Sequence, residues 1–395
     1  MSKSNHKRNQ AYRQVRDANN LMAGGRRCMQ GVTWKQSTQS WYLDRLHRVQ
    51  ETQKKLDNME RMSEGFTVFG IIERGKPREI KAVHINERTV QNTVTKEVLL
   101  PRIRPKLVYD NYASLQGRGI HKAFERVKAF LQQEYRRCGS NEFYVAVGDL
   151  HAYFDSIDHD VVYQQNKRLF MNDPKALYLT MDFVDAVGDK GFGLGSQVFQ
   201  TLAVFHPNEI DHYIKEQLKI KGYGRYMDDF FMIHSDKRYL QQCIDEVEKK
   251  YRDIGIELSL HKTKICKVGC GFKFLKAKIS VTSTGKIVMR PDHSSLVRER
   301  RKLRKFKEKL DAGVMEYKEI EQQYKSWRGY MAYFDSYKSI KSIDALYDEL
   351  FIKDWRTQEH GRVRKERGYW KCRKFGDKQN PSERRHGVEL ADEWN

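Results

Sequence analysis

Two adjacent acids set between two strand-like runs constrain this chain more than any other feature. Residues 221–226 and 230–233 read as strands, and Tyr226-Met227-Asp228-Asp229 joins them, so the segment reads as a β-hairpin with carboxylates at its tip. Upstream, residues 143–147 form a further strand-like run that ends in Gly148-Asp149, a third carboxylate at a strand end. Acids are common in turns whatever their role, so Asp228-Asp229 alone does not separate an ordinary turn from a site. Three acids at strand ends point to a hard divalent cation, because Mg²⁺ takes oxygen ligands and is held by few carboxylates together with substrate phosphates.

The reaction that needs such a site joins a primer 3′-hydroxyl to the α-phosphate of a nucleotide. One Mg²⁺ activates the attacking oxygen and a second steadies the leaving pyrophosphate. Asp149 and Asp228 are the expected first ligands and Asp229 the third, with two Mg²⁺ ions as cofactor and Mn²⁺ able to substitute.

Other blocks follow in a telling order. Asp149 through Phe154-Asp155 has the form D-x-x-x-x-F-D, and residues 191–199 run from a Gly-rich turn through Ser196-Gln197 into a helix. Then come Y-M-D-D at residues 226–229, Ile256-Glu257-Leu258-Ser259-Leu260-His261-Lys262-Thr263-Lys264, and the block 272–278. Taken in this order the five blocks resemble the palm motifs of a reverse transcriptase, of the small prokaryotic kind, over residues 67–355. Two departures stand out. Only Gly193-Leu194-Gly195 precedes Ser-Gln where many relatives carry a proline and a longer loop, and Phe274-Leu275 is followed by Lys276 instead of glycine.

The resemblance implies an α+β right-hand polymerase. Its parts would be a helical N-terminal extension at 1–66, fingers at 67–142, palm with part of the fingers at 143–280, a helical thumb at 281–355 and a basic tail at 356–395. Strands alternate in the palm with helical stretches such as 239–251, which suggests helices on one face of an antiparallel sheet. The partners implied are an RNA template, a DNA primer or product, and a deoxynucleoside triphosphate.

Individual roles follow by resemblance. Phe154 would be the steric gate, a ring under the sugar that rejects a 2′-hydroxyl. Lys76 and Arg78, on a fingers hairpin, would grip the triphosphate, and Arg88 would orient that subdomain. Gly193 and Gly195 would let backbone amides approach the template and incoming base, with Gln197 hydrogen-bonding there. Lys262 would protonate or steady the departing pyrophosphate. Arg118, between Gly117 and Gly119, would lie by a template phosphate, and Phe274-Leu275 would form the primer grip. Each has a plainer alternative: core packing for Phe154, surface charge for Lys76, Arg78 and Lys262, and ordinary turns for the glycines.

Charge and composition agree with a polyanion as partner. The 395-residue chain carries a formal charge of +22 with 12% aromatic residues, and the basic excess is spread through several segments interleaved with aromatics. No stretch approaches the apolar length of a membrane span, so no membrane partner and a cytosolic setting are expected. Cys266, Cys270 and His261 supply three of the four ligands a zinc site needs, so the cysteines read as idle thiols in a reducing compartment. In residues 1–66, Tyr42, Leu46, Val49, Leu56, Met59 and Met62 recur at helical intervals, as a layer packed on the fingers or as an RNA-binding platform. About 40 residues follow the thumb, so a compact polymerase without its own nuclease is expected.

The leading expectation is an RNA-directed DNA polymerase copying a dedicated, structured non-coding RNA, in antiviral defence. A diversity-generating retroelement or a retron is the alternative role, and a protein partner or an oligomer stays open. A maturase-like RNA-binding protein is the alternative of another class, against which the retained, mutually repelling carboxylates argue. An RNA-dependent RNA polymerase would place a smaller polar residue at Phe154.

Overall fold

The computed structural model describes residues 8–353 except Arg74. Four helices open it: α1 (Gln10–Arg16), α2 (Ala18–Met29), α3 (Gln36–Leu43) and α4 (Arg45–Asp57). Asp17 starts α2 by accepting a hydrogen bond from the Asn20 amide at 3.0 Å, which satisfies one of the helix's orphan donors. Ala11, Tyr12, Val15, Leu21, Val49, Leu56 and Met62 are buried in one cluster with the residues that line the palm helices. The Tyr12 hydroxyl donates to the Leu56 carbonyl at 2.5 Å, and Asp173 accepts from the amides of Ala11 and Tyr12. A Cβ on Gly25 would fall 1.8 Å from the Trp41 ring, so α2 can pack there only with glycine. Residues 8–66 are therefore a packed helical layer, not a platform standing off the body; residues 1–7 and the tail 356–395 lie outside the described residues. The expected apolar stripe breaks in its first half. Tyr42 and Leu46 are exposed because α3 ends at Leu43 and α4 begins at Arg45, so the two do not share one helix.

The fingers hairpin pairs β1 (Phe66–Glu73) with β2 (Lys76–Val83), with Ile71 opposite Arg78. Lys76 opens β2 instead of lying in the turn. After it, α5 (Ile85–Thr93) widens into a π-type coil at Val94–Leu99 and continues as α6 (Leu100–Ile103), and α7 (Ile120–Cys138) leads to the palm.

The palm follows as β3 (Tyr144–Asp149), α8 (Tyr153–Ser156), α9 (His159–Leu169), α10 (Pro174–Asp185), α11 (Gln197–Phe205), α12 (Asn208–His212), β4 (Gly222–Tyr226), β5 (Asp229–His234), α13 (Lys237–Asp253) and β6 (Lys264–Lys267). The four strands form one antiparallel sheet in the order β4-β5-β3-β6. Successive side chains alternate between its faces. Ala146, Tyr223, Phe230 and Met232 enter the first core, and Val145, Phe231 and Ile233 enter a second. That second core includes Phe124, Val127, Phe130 and Leu131 of α7, which packs on β4 and β5. Helices thus cover both faces of the sheet, which corrects the one-faced arrangement expected from sequence. The continuous run Phe230-Phe231-Met232-Ile233 is what burial on both sides requires.

Beyond the palm, β7 (Phe272–Phe274), β8 (Ala277–Val281) and β9 (Ile287–Pro291) form a three-stranded sheet, and α14 (His293–Asp311), α15 (Tyr317–Met331) and α16 (Tyr337–Tyr347) form the helical region behind it. Leu303, Ile320 and Ile343 seal the three helices into the second core. The β7–β8 turn is tight: Phe274 pairs with Ala277, leaving Leu275 at φ 46° and Lys276 at φ 65°. Side chains disfavour this left-handed region, and glycine is the usual second residue of such a turn. Lys276→Gly is therefore expected to raise unfolding free energy by about 0.5–1 kcal/mol, read as a higher urea midpoint. An unchanged or lower midpoint would show that the lysine is not strained.

Candidate active site

The β4–β5 hairpin closes with Tyr226 opposite Asp229, which leaves Met227-Asp228 as a two-residue loop with Met227 at φ 58°. A loop this short fixes register and holds Asp228 at the tip. The carbonyl of Met227 is anchored from below. Arg225 NH1 donates to it at 2.9 Å, while NH2 donates to the Val204 carbonyl at 2.8 Å. The same guanidinium forks onto Asp211 of α12, Nε to Oδ1 at 2.8 Å and NH2 to Oδ2 at 2.7 Å, and both side chains are fully buried. The Tyr223 hydroxyl donates to the same carboxylate.

Strand β3 then supplies the third acid. It pairs with β5 so that Asp149 stands directly opposite Asp229, and opposed residues of adjacent strands share a face. The Leu150 amide donates to the Asp228 carbonyl at 3.1 Å, which ties the end of β3 to the hairpin tip. The block 256–264 closes on the same strand end: the Ser259 amide donates to the Asp149 carbonyl at 2.7 Å, and the His151 amide to Glu257 at 2.8 Å. The structure thus gathers Asp149, Asp228 and Asp229 from segments eighty residues apart in sequence into one corner.

The corner is electrostatically tense. Burial, then the charges of Asp228 and Asp149, push the Asp229 carboxyl up to about 7. Burial and the Asp149 charge also raise Asp228, while Lys262 and Arg78 pull it down. Arg78, exposed on β2, is thus close enough for its charge to be felt at the hairpin tip. Lys262 Nζ lies 2.5 Å from Asp149 Oδ2 with its side chain 60% exposed, and the bond raises the lysine. Among the described residues no group of three or more His, Cys, Asp or Glu side chains forms a ready cage for a metal ion. The triad expected as a closed ligand set is therefore an open one, partly neutralised by an ammonium. The donors still fit Mg²⁺, which needs few carboxylates and completes its shell with phosphate and water.

Phe154 lies beside this corner. Ala152 at φ 43° turns the chain, so Tyr153 points inward, its hydroxyl donating to the Ala203 carbonyl at 2.5 Å. The Phe154 ring remains half-buried, edge-on to Tyr153 at 5.9 Å. Asp155 is exposed and faces away from Asp149's partners, consistent with its reading as a structural residue of the turn.

Several expected nucleic-acid contacts are instead made within the protein. Gly193 and Gly195 give close approach to β2: a Cβ on Gly193 would meet the Lys81 side chain at 3.1 Å, one on Gly195 the Lys81 carbonyl at 3.2 Å, and the Lys81 amide donates to Leu194. The Gln197 carbonyl oxygen accepts from Asn92 Nδ2 at 2.6 Å. Arg118 NH1 donates to the carbonyls of Asn111 and Val108 at 2.7 and 3.2 Å, so it braces its own loop. Phe274 is buried edge-on against Phe231, leaving Leu275 at the turn as the half-buried member of that pair. Lys262 engages Asp149 as well as facing the cleft. The side chain of Lys76 lies outside the described residues.

Sequence reasoning missed the residues that hold these parts together. Ser196 Oγ donates to Gln91 Oε1 at 2.7 Å, Gln91 Nε2 donates to buried Glu87 at 2.8 Å, and Arg27 Nε donates to Asn92 at 2.6 Å. Helices α2 and α5 thereby grip Ser196-Gln197. Asp211 was equally hidden; the only signal was an arginine in a buried strand, which demands a partner but does not say where it is.

Residues 70–287 match the reverse transcriptase (RNA-dependent DNA polymerase) family. No curated protein matches the chain. Similar solved structures include apo telomerase from Candida tropicalis truncated from its C-terminal domain (12% identity, 57% of this chain and 55% of that one, TM-score 0.45). Apo telomerase from Candida tropicalis is another (12%, 56% and 48%, 0.46). A third is telomerase from Candida albicans in complex with a TWJ fragment of telomeric RNA (12%, 76% and 63%, 0.46). The chain spans about half to under two thirds of the length of these structures.

Proposed function

The chain belongs to the reverse transcriptase family, and on that premise we propose that it is an RNA-directed DNA polymerase that extends a DNA primer on an RNA template. The observation that carries the reading is the register of Asp149 against Asp229 with Asp228 at the adjoining tip. Two Mg²⁺ ions held by these three carboxylates would activate the primer hydroxyl and neutralise the departing pyrophosphate. Arg225 keeps the tip in place through the Met227 carbonyl. Lys262 has an ammonium in reach of the same corner and can pass from Asp149 to a phosphate oxygen. Arg78 brings a guanidinium from the fingers whose charge already acts on Asp228, suited to holding a triphosphate. The test is primer extension on an RNA template with deoxynucleotides: it should stop with chelator and return with Mg²⁺ or Mn²⁺. Extension that persists in chelator would overturn the mechanism.

Phe154, half-buried at the edge of this corner, serves as the steric gate. Phe154→Ala is expected to raise incorporation of ribonucleotides relative to deoxynucleotides by about 10- to 100-fold, measured by competing the two sugars in extension assays. Unchanged discrimination would make Phe154 a packing residue.

The template is read as a dedicated non-coding RNA and the setting as antiviral defence in a prokaryotic host, chiefly from the shortened turn before Ser196-Gln197. Sequencing the nucleic acid that co-purifies with the protein tests both. A retron or a diversity-generating retroelement would leave a different RNA in that pool.

A further inference from the structure

Helix α14 is the most basic element of the chain, with Arg298, Arg301, Arg304 and Lys305 exposed along it. One acid breaks the pattern. Glu299 is only 5% exposed, and its Oε1 has no hydrogen-bond partner. The nearest cation, Lys302 Nζ, stands 3.8 Å away, beyond hydrogen-bond reach. An unsatisfied buried carboxylate oxygen is costly, and burial raises the carboxyl accordingly. Glu299 lines a cleft of about 620 Å³ between α14 and α15 whose other walls include Lys302, Gln323, Trp327 and Tyr330. Tyr324 stacks behind Trp327 at 5.7 Å, which fixes the indole as a wall of the cleft.

We propose that this cleft is a subsite for one unpaired guanine base of the nucleic acid held by the thumb. The chemistry selects the base. A carboxylate can accept both N1–H and N2–H of guanine at once, whereas adenine presents a lone pair at N1 and would be repelled. Flat aromatic walls give the stacking surface by which unpaired bases are bound. The basic outer face of α14 supplies the phosphate contacts that bring a strand to the cleft and orient it. The volume exceeds that of one base, which leaves room for its sugar and for water.

This inference rests on the reading of the chain as a nucleic-acid polymerase, and its test keeps the two apart. The probes are fluorescein-labelled hexanucleotides of uridine with guanosine, inosine or adenosine at one central position, in ribo- and deoxy-forms, followed by fluorescence anisotropy. The full chain is expected to bind the guanosine probe about tenfold more tightly than the adenosine probe, with inosine, which lacks the 2-amino group, between them. Glu299→Gln, which removes the unpaired charge and should fold at least as well, is expected to erase that order while binding the all-uridine probe as before. Preference in the ribo-series assigns the subsite to the template strand and in the deoxy-series to the product strand. Equal binding of all three probes by the unaltered chain, or an order that survives Glu299→Gln, would overturn the proposal. Extension on a poly(A) template, which contains no guanine, tests the polymerase reading separately.

Discussion

Asp228→Asn is expected to lower primer extension by at least about a thousandfold, ~4 kcal/mol of activation free energy, with fold and RNA binding unchanged. The magnitude follows from what the carboxylate does there. It stands at the tip of a two-residue loop, half-buried, with Asp149 and Asp229 crowded beside it. An amide keeps the shape and an acceptor oxygen but loses the charge that draws a cation. Stability should not suffer, because burial and Asp149 already disfavour the charged form and the Leu150 amide bonds the main-chain carbonyl, which the substitution leaves alone. Matched thermal melts and RNA filter binding alongside single-nucleotide incorporation would check this. Incorporation at the unaltered rate would remove Asp228 from the metal site.

How much of this corner could be read from the sequence depends on which physical rule each residue obeys. The hairpin was legible because its two strands are local and the loop between them is short. Asp149 was legible as an acid at a strand end, yet its pairing with Asp229 was not, since register between β3 and β5 is set by which side chains fit each core. The run Phe230-Phe231-Met232-Ile233 was ambiguous: an apolar stretch reports burial, not the number of buried faces, and α7 supplies the second cover from a distant part of the chain. Gly193 and Gly195 announced close approach without naming the neighbour, and the neighbour is Lys81. Arg118 looked like a hand for phosphate because an arginine in a glycine loop offers the same donors to a ligand as to Asn111 and Val108. The helical layer at 8–66 was visible as periodicity, but a charged helix face does not reveal whether its apolar side meets protein or RNA. Tyr12, Val49 and Leu56 meet protein.

Arg225 illustrates the deepest of these gaps, and it carries the second large effect. Arg225→Met is expected to lower unfolding free energy by about 3–5 kcal/mol. The substitution leaves Asp211 wholly buried with only the Tyr223 hydroxyl for company, and it strips donors from the carbonyls of Met227 and Val204. Replacing Asp211 with leucine as well removes the stranded charge, so the double variant should cost less than the two single changes added together. It should still fall short of the unaltered chain, because the two carbonyls remain unpaired. Arg225→Lys separates holding the fold from holding the tip. One ammonium keeps a charge opposite Asp211 but cannot serve both carboxylate oxygens and both carbonyls. That variant is expected to stay folded while extension drops about tenfold, as the loop carrying Asp228 loses its anchor. Urea midpoints and single-turnover extension read the two effects independently. If Arg225→Met melts like the unaltered protein, the buried pair is not what holds the sheet to α12; if Arg225→Lys extends primers at the original rate, the hairpin tip is positioned by its own turn geometry alone.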